Sequence, residues 1–172
     1  MQGFNLVEFP GTIILYQIPQ HSFLKESLLD SIEKTEFNSF KDDNQSISKT
    51  DFFNNSNENL NYKQILAPIF SNYVENLKVF LENDDLKLGN IWFQQYERDD
   101  FHTWHSHRHA YFSNVYYLEM SDKAPKTSFR HFGKVFEVPV KEGMIITFPS
   151  YLMHCSKPNQ SSRKTVITFN VH

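Results

Sequence analysis

Four of the eight histidines in this chain lie in one short stretch, residues 101–109. His105 and His107 are separated by a single residue, so on an extended strand their imidazoles leave the same face and can reach one metal ion. A third imidazole, that of His154, follows the apolar run at 143–149. Three imidazoles in a β context provide the facial set of ligands that a transition metal requires, and the sequence predicts such a site here. Four other histidines are interpreted as ordinary surface residues: His102, His109, His131 and His172.

The composition indicates a globular protein of one domain. The chain has 172 residues, of which 40% are hydrophobic and 16% aromatic, enough to bury a sizeable core. A formal charge of −3 at pH 7 gives no basic surface for general nucleic-acid binding. No apolar run approaches the roughly 20 residues of a membrane span. The single cysteine, Cys155, can form no internal disulfide and is interpreted as a packing residue. We therefore expect a cytoplasmic protein without membrane contact.

The spacing of apolar residues predicts two helices in the first half of the chain. Residues 4–18 run apolar around a Pro-Gly turn, which predicts one or two strands. Apolar residues then recur at helical spacing over 22–35 and again over 60–83, as in amphipathic helices. Between them, residues 38–59 are rich in Asn, Asp, Ser and Lys, and they predict a surface loop.

Short strand-like segments separated by turn residues fill the second half of the chain, as in an antiparallel sandwich or barrel. With two helices ahead of it, this pattern predicts a mainly β (α+β) fold, a jelly roll braced by N-terminal helices. We predict one domain over residues 1–172, with helical support over about 20–85 and a jelly-roll core over about 88–172. The predicted strands span residues 89–96, 111–120, 127–132, 134–140, 144–148 and 165–171.

Four segments carry a further signal: His105-Ser106-His107, residues 113–118, residues 143–154 and Thr168-Phe169-Asn170. Together they resemble a family of 2-oxoglutarate- and Fe(II)-dependent oxygenases that occurs in marine bacteria and cyanophages. The resemblance covers about residues 90–171. It implies the double-stranded β-helix of the prolyl-hydroxylase-like superfamily. It also implies an oxidoreductase that uses Fe(II), 2-oxoglutarate and O2 to hydroxylate a substrate, with succinate and CO2 as co-products.

The same resemblance implies residues that bind the cosubstrate. A basic residue nine or ten positions after the distal histidine usually binds the far carboxylate of 2-oxoglutarate, and here Arg163 and Lys164 hold those places. Arg163 is favoured, because a guanidinium binds a carboxylate bidentately and Thr165 offers a hydroxyl on the same strand face. Lys164 is the alternative. Tyr96 and Tyr117 are further candidates for contact with the cosubstrate, with sheet core as the other interpretation.

The second metal position departs from the superfamily pattern. The resemblance carries the metal positions, and with them the catalytic centre, onto His105, His107 and His154. The commonest second ligand in the superfamily is a carboxylate, which completes a 2-His-1-carboxylate triad. Asp99 or Asp100 could supply that carboxylate, although paired aspartates there are more often turn residues. Two other functions stay open: a three-histidine cupin-type metal enzyme without 2-oxoglutarate, and a non-catalytic metal-binding jelly roll.

The sequence says less about the substrate and the oligomeric state than it says about the candidate metal site. The substrate is expected to be a small molecule or a peptide of unknown identity, because pocket-lining loops set it and the fold does not. The oligomeric state is open, and a homodimer is one alternative. The expected location becomes the host cytoplasm if the chain is phage-encoded.

Overall fold

Twelve strands and two helices make up the structure, a computed structural model that describes residues 4–9, 11–107 and 109–172. Helix α1 spans His21–Glu33 and helix α2 spans Asn61–Leu81, with a 3-10 turn at Phe52–Asn54. The predicted turn at Pro10 lies outside the described residues. The strands are β1 Phe4–Phe9, β2 Gly11–Gln17, β3 Asn38–Lys41, β4 Gln45–Thr50, β5 Leu88–Glu97, β6 Phe101–His105, β7 Phe112–Glu119, β8 Thr127–His131, β9 Lys134–Glu137, β10 Met144–Pro149, β11 Met153–Ser156 and β12 Arg163–Val171.

Both predicted helices form, with ends within two residues of the predicted ones. Helix α2 buries one stripe of side chains at helical spacing, including Leu66, Phe70, Tyr73 and Leu77. The ring of Phe70 stacks on that of Phe169 with centroids 4.2 Å apart, which joins the helix to the sheet. No helix in the described ranges is long and apolar enough to cross a membrane.

The strands form one antiparallel sheet that curls over on itself. Its order is β1-β2-β10-β7-β12-β5-β4-β6-β11-β8-β9, and β3 pairs with β4 at the side. Side chains from β5, β7 and β12 line the same cavity as side chains from β6 and β11, so the two halves of the sheet face each other. This architecture is mainly β with helices on one outer face, as the sequence predicts.

Alternation along the strands separates an outer core from an inner cavity. On β12, Ile167 and Phe169 pack under the helices, whereas Lys164, Val166 and Thr168 line the cavity between the two halves of the sheet. Successive side chains of a strand point to opposite faces, so one strand serves both surfaces. The same alternation of side chains decides which candidate residues can reach the three histidines.

The predicted loop at 38–59 is largely structured. It contains β3, β4 and the 3-10 turn, although Ile47 is the one buried large apolar side chain on β4. Strand β4 forms because it bridges β5 and β6, with Gln94 and Gln95 paired on one side and His102 on the other. The short strand β11, in a part of the chain where no strand is predicted, forms in the same way between β6 and β8.

Candidate metal centre and its cavity

Three imidazoles converge where β6 and β11 meet. His105 ends β6 and pairs with His154 of β11 in the strand register. His107 lies two residues beyond the end of β6, where its backbone N–H donates to the carbonyl of Ser150 at 2.8 Å. One ligand atom from each of the three histidines lies within 4.8 Å of the other two. The structure therefore brings together the three histidines that the sequence singles out.

Backbone hydrogen bonds orient two of these rings. His105 Nδ1 lies 2.8 Å from the carbonyl oxygen of Thr103, and His154 Nδ1 lies 2.9 Å from that of Leu152. Because a carbonyl can only accept, Nδ1 must carry the proton, and Nε2 of each ring is left with its lone pair free. Metal-binding histidines commonly donate to a backbone carbonyl from the ring nitrogen that does not bind the metal, which here is Nδ1.

Burial keeps the cluster in the neutral form that binds a metal. Desolvation lowers the pKa of His107 to about 4 and lowers that of His105. It also holds the pKa of His154 well below the usual value. Since a metal ligand must be deprotonated, the three nitrogens are ready to coordinate at neutral pH. The residues present therefore fit a first-row transition metal with imidazole ligands.

No carboxylate joins this cluster among the residues that the structure describes. Asp100, one alternative second ligand, is buried and accepts hydrogen bonds from the hydroxyls of Ser46 and Ser48 and from the backbone N–H of Glu97. Asp99 adopts a positive φ of 68° in the same turn. Asp100 thus ties the turn after β5 to β4, so the geometry favours His107 over either aspartate as the third ligand.

His102 corrects one interpretation of the sequence. It is not a solvated residue, because its ring lines the cavity and stacks on the ring of His105 with centroids 3.8 Å apart and 16° between planes. Burial lowers its pKa to about 3. The strand register explains the contact: between the pairs His154–His105 and Ser156–His102, one residue of β11 opposes two residues of β6. Such a bulge brings residues of opposite parity to one face.

The cavity beside the cluster encloses about 370 Å³ and contains a buried lysine. Lys164 is only 2% exposed, and its Nζ donates to the Ser156 hydroxyl at 2.6 Å and to the carbonyl of Pro125 at 3.2 Å. The ammonium also lies 4.6 Å from the centre of the Tyr96 ring. All these partners are neutral, and burial lowers the pKa of Lys164 to about 7.

Tyr96 and Tyr117 both line the cavity. The Tyr117 hydroxyl lies 2.6 Å from the Thr127 hydroxyl and accepts from the backbone N–H of the same residue at 3.3 Å. The Tyr96 hydroxyl donates to the side chain of Gln94 at 3.1 Å. Burial raises the pKa of both phenols, that of Tyr117 to about 12, so both stay protonated at neutral pH. The Tyr117 hydroxyl can donate to a ligand in the cavity when it accepts from Thr127, whereas the one proton of the Tyr96 hydroxyl is used on Gln94.

Arg163 and Thr165 lie on the other face of β12. The Arg163 guanidinium pairs with Glu119, through Nε at 2.7 Å, and with Glu33 at 3.1 Å. The Thr165 hydroxyl donates to the same Glu119 carboxylate at 2.9 Å. The two residues share a face, as the sequence predicts, but that face points to the outer side of the sheet and neither residue lines the cavity. Lys164, one position along, faces inward.

Several cavity residues carry no clear signal in the sequence. Ser156 accepts a hydrogen bond from Lys164, and Thr127 is hydrogen-bonded to Tyr117. Only the alternation of side chains along their strands could have predicted that these two residues face the cavity. The rim residues Phe40, Phe52 and Phe53 come from the segment expected to be a loop. Three phenylalanines within a polar stretch are the one local hint that this segment has a buried or ligand-facing side.

The sequence matches no protein-family model and no curated protein. Solved structures show the fold. A Pseudomonas putida prolyl-4-hydroxylase is 16% identical with a TM-score of 0.68, over 94% of this chain and 92% of that one. An oxidoreductase of the 2OG-Fe(II) oxygenase family from Burkholderia pseudomallei is 8% identical with a TM-score of 0.69, over 92% and 83%.

HygX from Streptomyces hygroscopicus, solved with nickel and 2-oxoglutarate bound, is 13% identical with a TM-score of 0.60, over 91% of this chain and 82% of that one. The chain has the jelly-roll fold of 2-oxoglutarate oxygenases. The predicted fold class, a double-stranded β-helix braced by helices, is therefore confirmed. At these identities the likeness concerns the fold.

Proposed function

We propose that this chain is a 2-oxoglutarate- and Fe(II)-dependent oxygenase that hydroxylates a small-molecule or peptide substrate. One observation carries the proposal: three neutral imidazoles line the same cavity as a buried lysine that pairs with no carboxylate among the described residues. Imidazoles bind the metal, and the ammonium calls for an anion, because a buried charge is costly unless it is paired. A dicarboxylate that chelates a metal with one end and carries a second carboxylate meets both requirements.

The three histidines would hold Fe(II) and leave coordination positions open for ligands. His105, His107 and His154 would each supply one nitrogen to the metal, and the cavity beside them would admit the cosubstrate. The bound iron would supply the oxidising chemistry, with 2-oxoglutarate and O2 converted to succinate and CO2 as a hydroxyl group is added to the substrate. Phe148, whose ring centre lies 4.7 Å from that of His154, helps to exclude water from this end.

Lys164 would bind the far carboxylate of 2-oxoglutarate. Its ammonium has three N–H donors and uses two of them on Ser156 and Pro125, so a third remains for a ligand oxygen. The Tyr117 hydroxyl, which accepts from the backbone N–H of Thr127, could donate to the same ligand. A volume of about 370 Å³ lies in the range of small-ligand sites, which leaves space beside the cosubstrate for part of a substrate.

Adjacent residues on opposite faces of β12 allow a matched test. Calorimetric titration of 2-oxoglutarate into the zinc-loaded chain should show binding in the wild type and in Arg163→Met. In Lys164→Met the affinity should fall by at least about tenfold, the size of a lost charge-assisted hydrogen bond, while zinc affinity stays unchanged. Succinate formation with Fe(II) and O2 should be retained in the wild type and in Arg163→Met and should be reduced in Lys164→Met. His154→Ala should lose both metal binding and turnover.

Two results would overturn the proposal. Wild-type protein with a bound metal but no affinity for 2-oxoglutarate would leave the cupin-type metal enzyme or the non-catalytic metal-binding jelly roll. A loss of 2-oxoglutarate binding in Arg163→Met with full binding in Lys164→Met would contradict the inward orientation of Lys164 on which the cosubstrate assignment rests.

A further inference from the structure

The rim of the metal cavity is built from aromatic rings on the hairpin and 3-10 turn at 38–54. Phe40 and Phe53 have ring centres 5.2 Å apart, Phe52 and Phe53 5.8 Å, and Phe52 and Trp92 5.6 Å. The last two pairs are edge-to-face, with interplanar angles of 67° and 77°. Phe53 is 70% exposed and Phe52 is 40% exposed, although both line the cavity. These four residues are called the aromatic rim: Phe52 and Phe53 border the solvent, and Trp92 of β5 is buried.

The described lining of the cavity offers almost nothing to a charged substrate. It contains no Asp, Glu or Arg, and its one cation is Lys164. Under the proposed function, the lysine is paired with the cosubstrate, so a charge on the substrate would lose its hydration without gaining a partner. A cation would in addition lie near the lysine and a divalent metal. The rim could attract a cation through its ring faces, but that gain is small beside the repulsion inside the cavity.

The rim also contains one hydrogen-bond donor without a partner. Trp92 is 3% exposed, and its indole N–H finds no acceptor among the described residues. A buried donor left unpaired is costly and rare in folded proteins. The ring of Phe52 packs against this indole from a short turn at the edge of the structure. The indole nitrogen is itself covered in this structure, so a carbonyl oxygen of a ligand would supply the missing acceptor only where a neighbouring side chain such as Phe52 moves aside.

We infer that the substrate presents to this cavity an uncharged aromatic ring bearing a hydrogen-bond acceptor, with the ring held by the aromatic rim and the acceptor by the Trp92 indole N–H. The inference rests on the proposed function for treating the cavity as an active site. This substrate preference does not follow from the fold alone. Three of the four rim residues lie in the segment at 38–54, and a different segment there would select a different substrate.

Three small probes test each part of this inference by NMR titration of the 15N-labelled chain. Benzamide carries the ring and the acceptor, cyclohexanecarboxamide keeps the amide without the aromatic ring, and benzamidinium keeps the ring but replaces the carbonyl acceptor with a positively charged N–H donor group. Benzamide should bind at the rim at least about fivefold more tightly than either of the others, the size of one aromatic pair or one hydrogen bond. The titrations are made with the metal-free chain and with zinc and 2-oxoglutarate present.

Variants locate the site and provide the control. Phe53→Ala should weaken benzamide binding about fivefold, and Phe53 is exposed enough that the fold does not depend on it. Trp92→Phe keeps a ring and removes the N–H, so it should weaken benzamide binding about fivefold. Phe23→Ala is the matched control, because Phe23 is an 87% exposed phenylalanine on α1 that does not line the cavity. It should leave binding unchanged.

The outcomes separate this inference from the proposed function. Equal or tighter binding of benzamidinium or cyclohexanecarboxamide overturns the substrate class, as does benzamide binding that is insensitive to both Phe53→Ala and Trp92→Phe. If 2-oxoglutarate binds and benzamide does not, the inference is wrong while the oxygenase proposal stands. If benzamide binds as described in the metal-free chain and 2-oxoglutarate does not bind, the aromatic site stands and the oxygenase proposal is wrong.

Discussion

Lys164 should destabilise the ligand-free protein, and Lys164→Met should therefore make it more stable. Burial lowers the pKa of this ammonium from 10.5 to about 7. Each pKa unit corresponds to about 1.4 kcal/mol, so the charged form is disfavoured by about 5 kcal/mol in the folded state. Methionine is close to lysine in size and carries no charge, but it loses the hydrogen bonds to Ser156 and Pro125. The expected net gain in the free energy of unfolding at pH 6.5 is about 2–4 kcal/mol.

The pH dependence identifies the charge as the cause. The folded pKa of Lys164 lies below the unfolded one, so the unfolded state binds more protons between about pH 7 and 10.5. The stability of the wild type therefore rises with pH across this interval relative to Lys164→Met. The destabilising effect of the charge is complete below about pH 7 and is lost above about pH 10.5. Between pH 6.5 and pH 9 the advantage of the variant should shrink by about 2–3 kcal/mol.

Urea unfolding of wild type and Lys164→Met at pH 6.5 and pH 9 measures this difference directly. Lys123→Met is the control, because Lys123 is an exposed lysine and its loss should change stability by less than about 0.5 kcal/mol at either pH. Zinc with 2-oxoglutarate should stabilise the wild type more than the variant, because the anion pairs with the ammonium. Parallel stability curves for wild type and Lys164→Met at the two pH values would refute the idea of an unpaired buried charge.

Two further predictions concern the metal cluster and a buried ion pair. Zinc affinity by calorimetry should fall far less between pH 7 and pH 5 than the roughly ten-thousandfold expected for three histidines of ordinary pKa, because burial lowers the pKa of His107 to about 4 and also lowers that of the other two ligand histidines. A loss of about ten-thousandfold would contradict this reasoning. Asp51→Asn should cost about 3 kcal/mol by urea unfolding, because Asp51 is fully buried and lies 3.2 Å from the ammonium of Lys63. Asp30→Asn removes an exposed partner and should cost less than about 0.5 kcal/mol; equal costs for the two variants would contradict this reasoning.

The spacing of apolar residues predicts the helices and strands that bury a continuous apolar stripe. It does not predict the strands that form because neighbouring strands pair with them. Helix α2 and the long strand β12 carry their own signal, because their apolar residues repeat at 3.6 and 2 residues. Strand β4 has little such signal, since Ile47 is its one buried large apolar residue. It is held in place by β5, by β6 and by hydrogen bonds from Ser46 and Ser48 to Asp100. These partners are about 50 residues away, and no local pattern reports them.

Strand parity could have decided between Arg163 and Lys164. Positions 163, 165, 167, 169 and 171 of β12 include Ile, Phe and Val, whereas positions 164, 166, 168 and 170 are Lys, Val, Thr and Asn. The face with the larger apolar residues packs under the helices, and the mixed face lines the cavity. The bidentate binding of a carboxylate by a guanidinium favours Arg163, whereas this pattern favours Lys164 as the residue that faces the cavity. The position of His102 could not be inferred in this way, because a bulge in β6 reverses the expected parity.

Charge balance links the three-histidine cluster to the buried lysine. A divalent metal on three neutral imidazoles keeps its full charge, and Lys164 adds one more positive charge in a cavity whose described lining contains no carboxylate. A triad with one carboxylate would offset part of that charge within the protein. Here the offset must come from the ligand, and a dianion that reaches both the metal and the ammonium supplies two negative charges. Under the proposed function, metal and 2-oxoglutarate should therefore each raise the affinity for the other by the same factor, since a coupling free energy is reciprocal. A monoanion would pair with only one of the two positive centres, so the cavity selects for a second carboxylate.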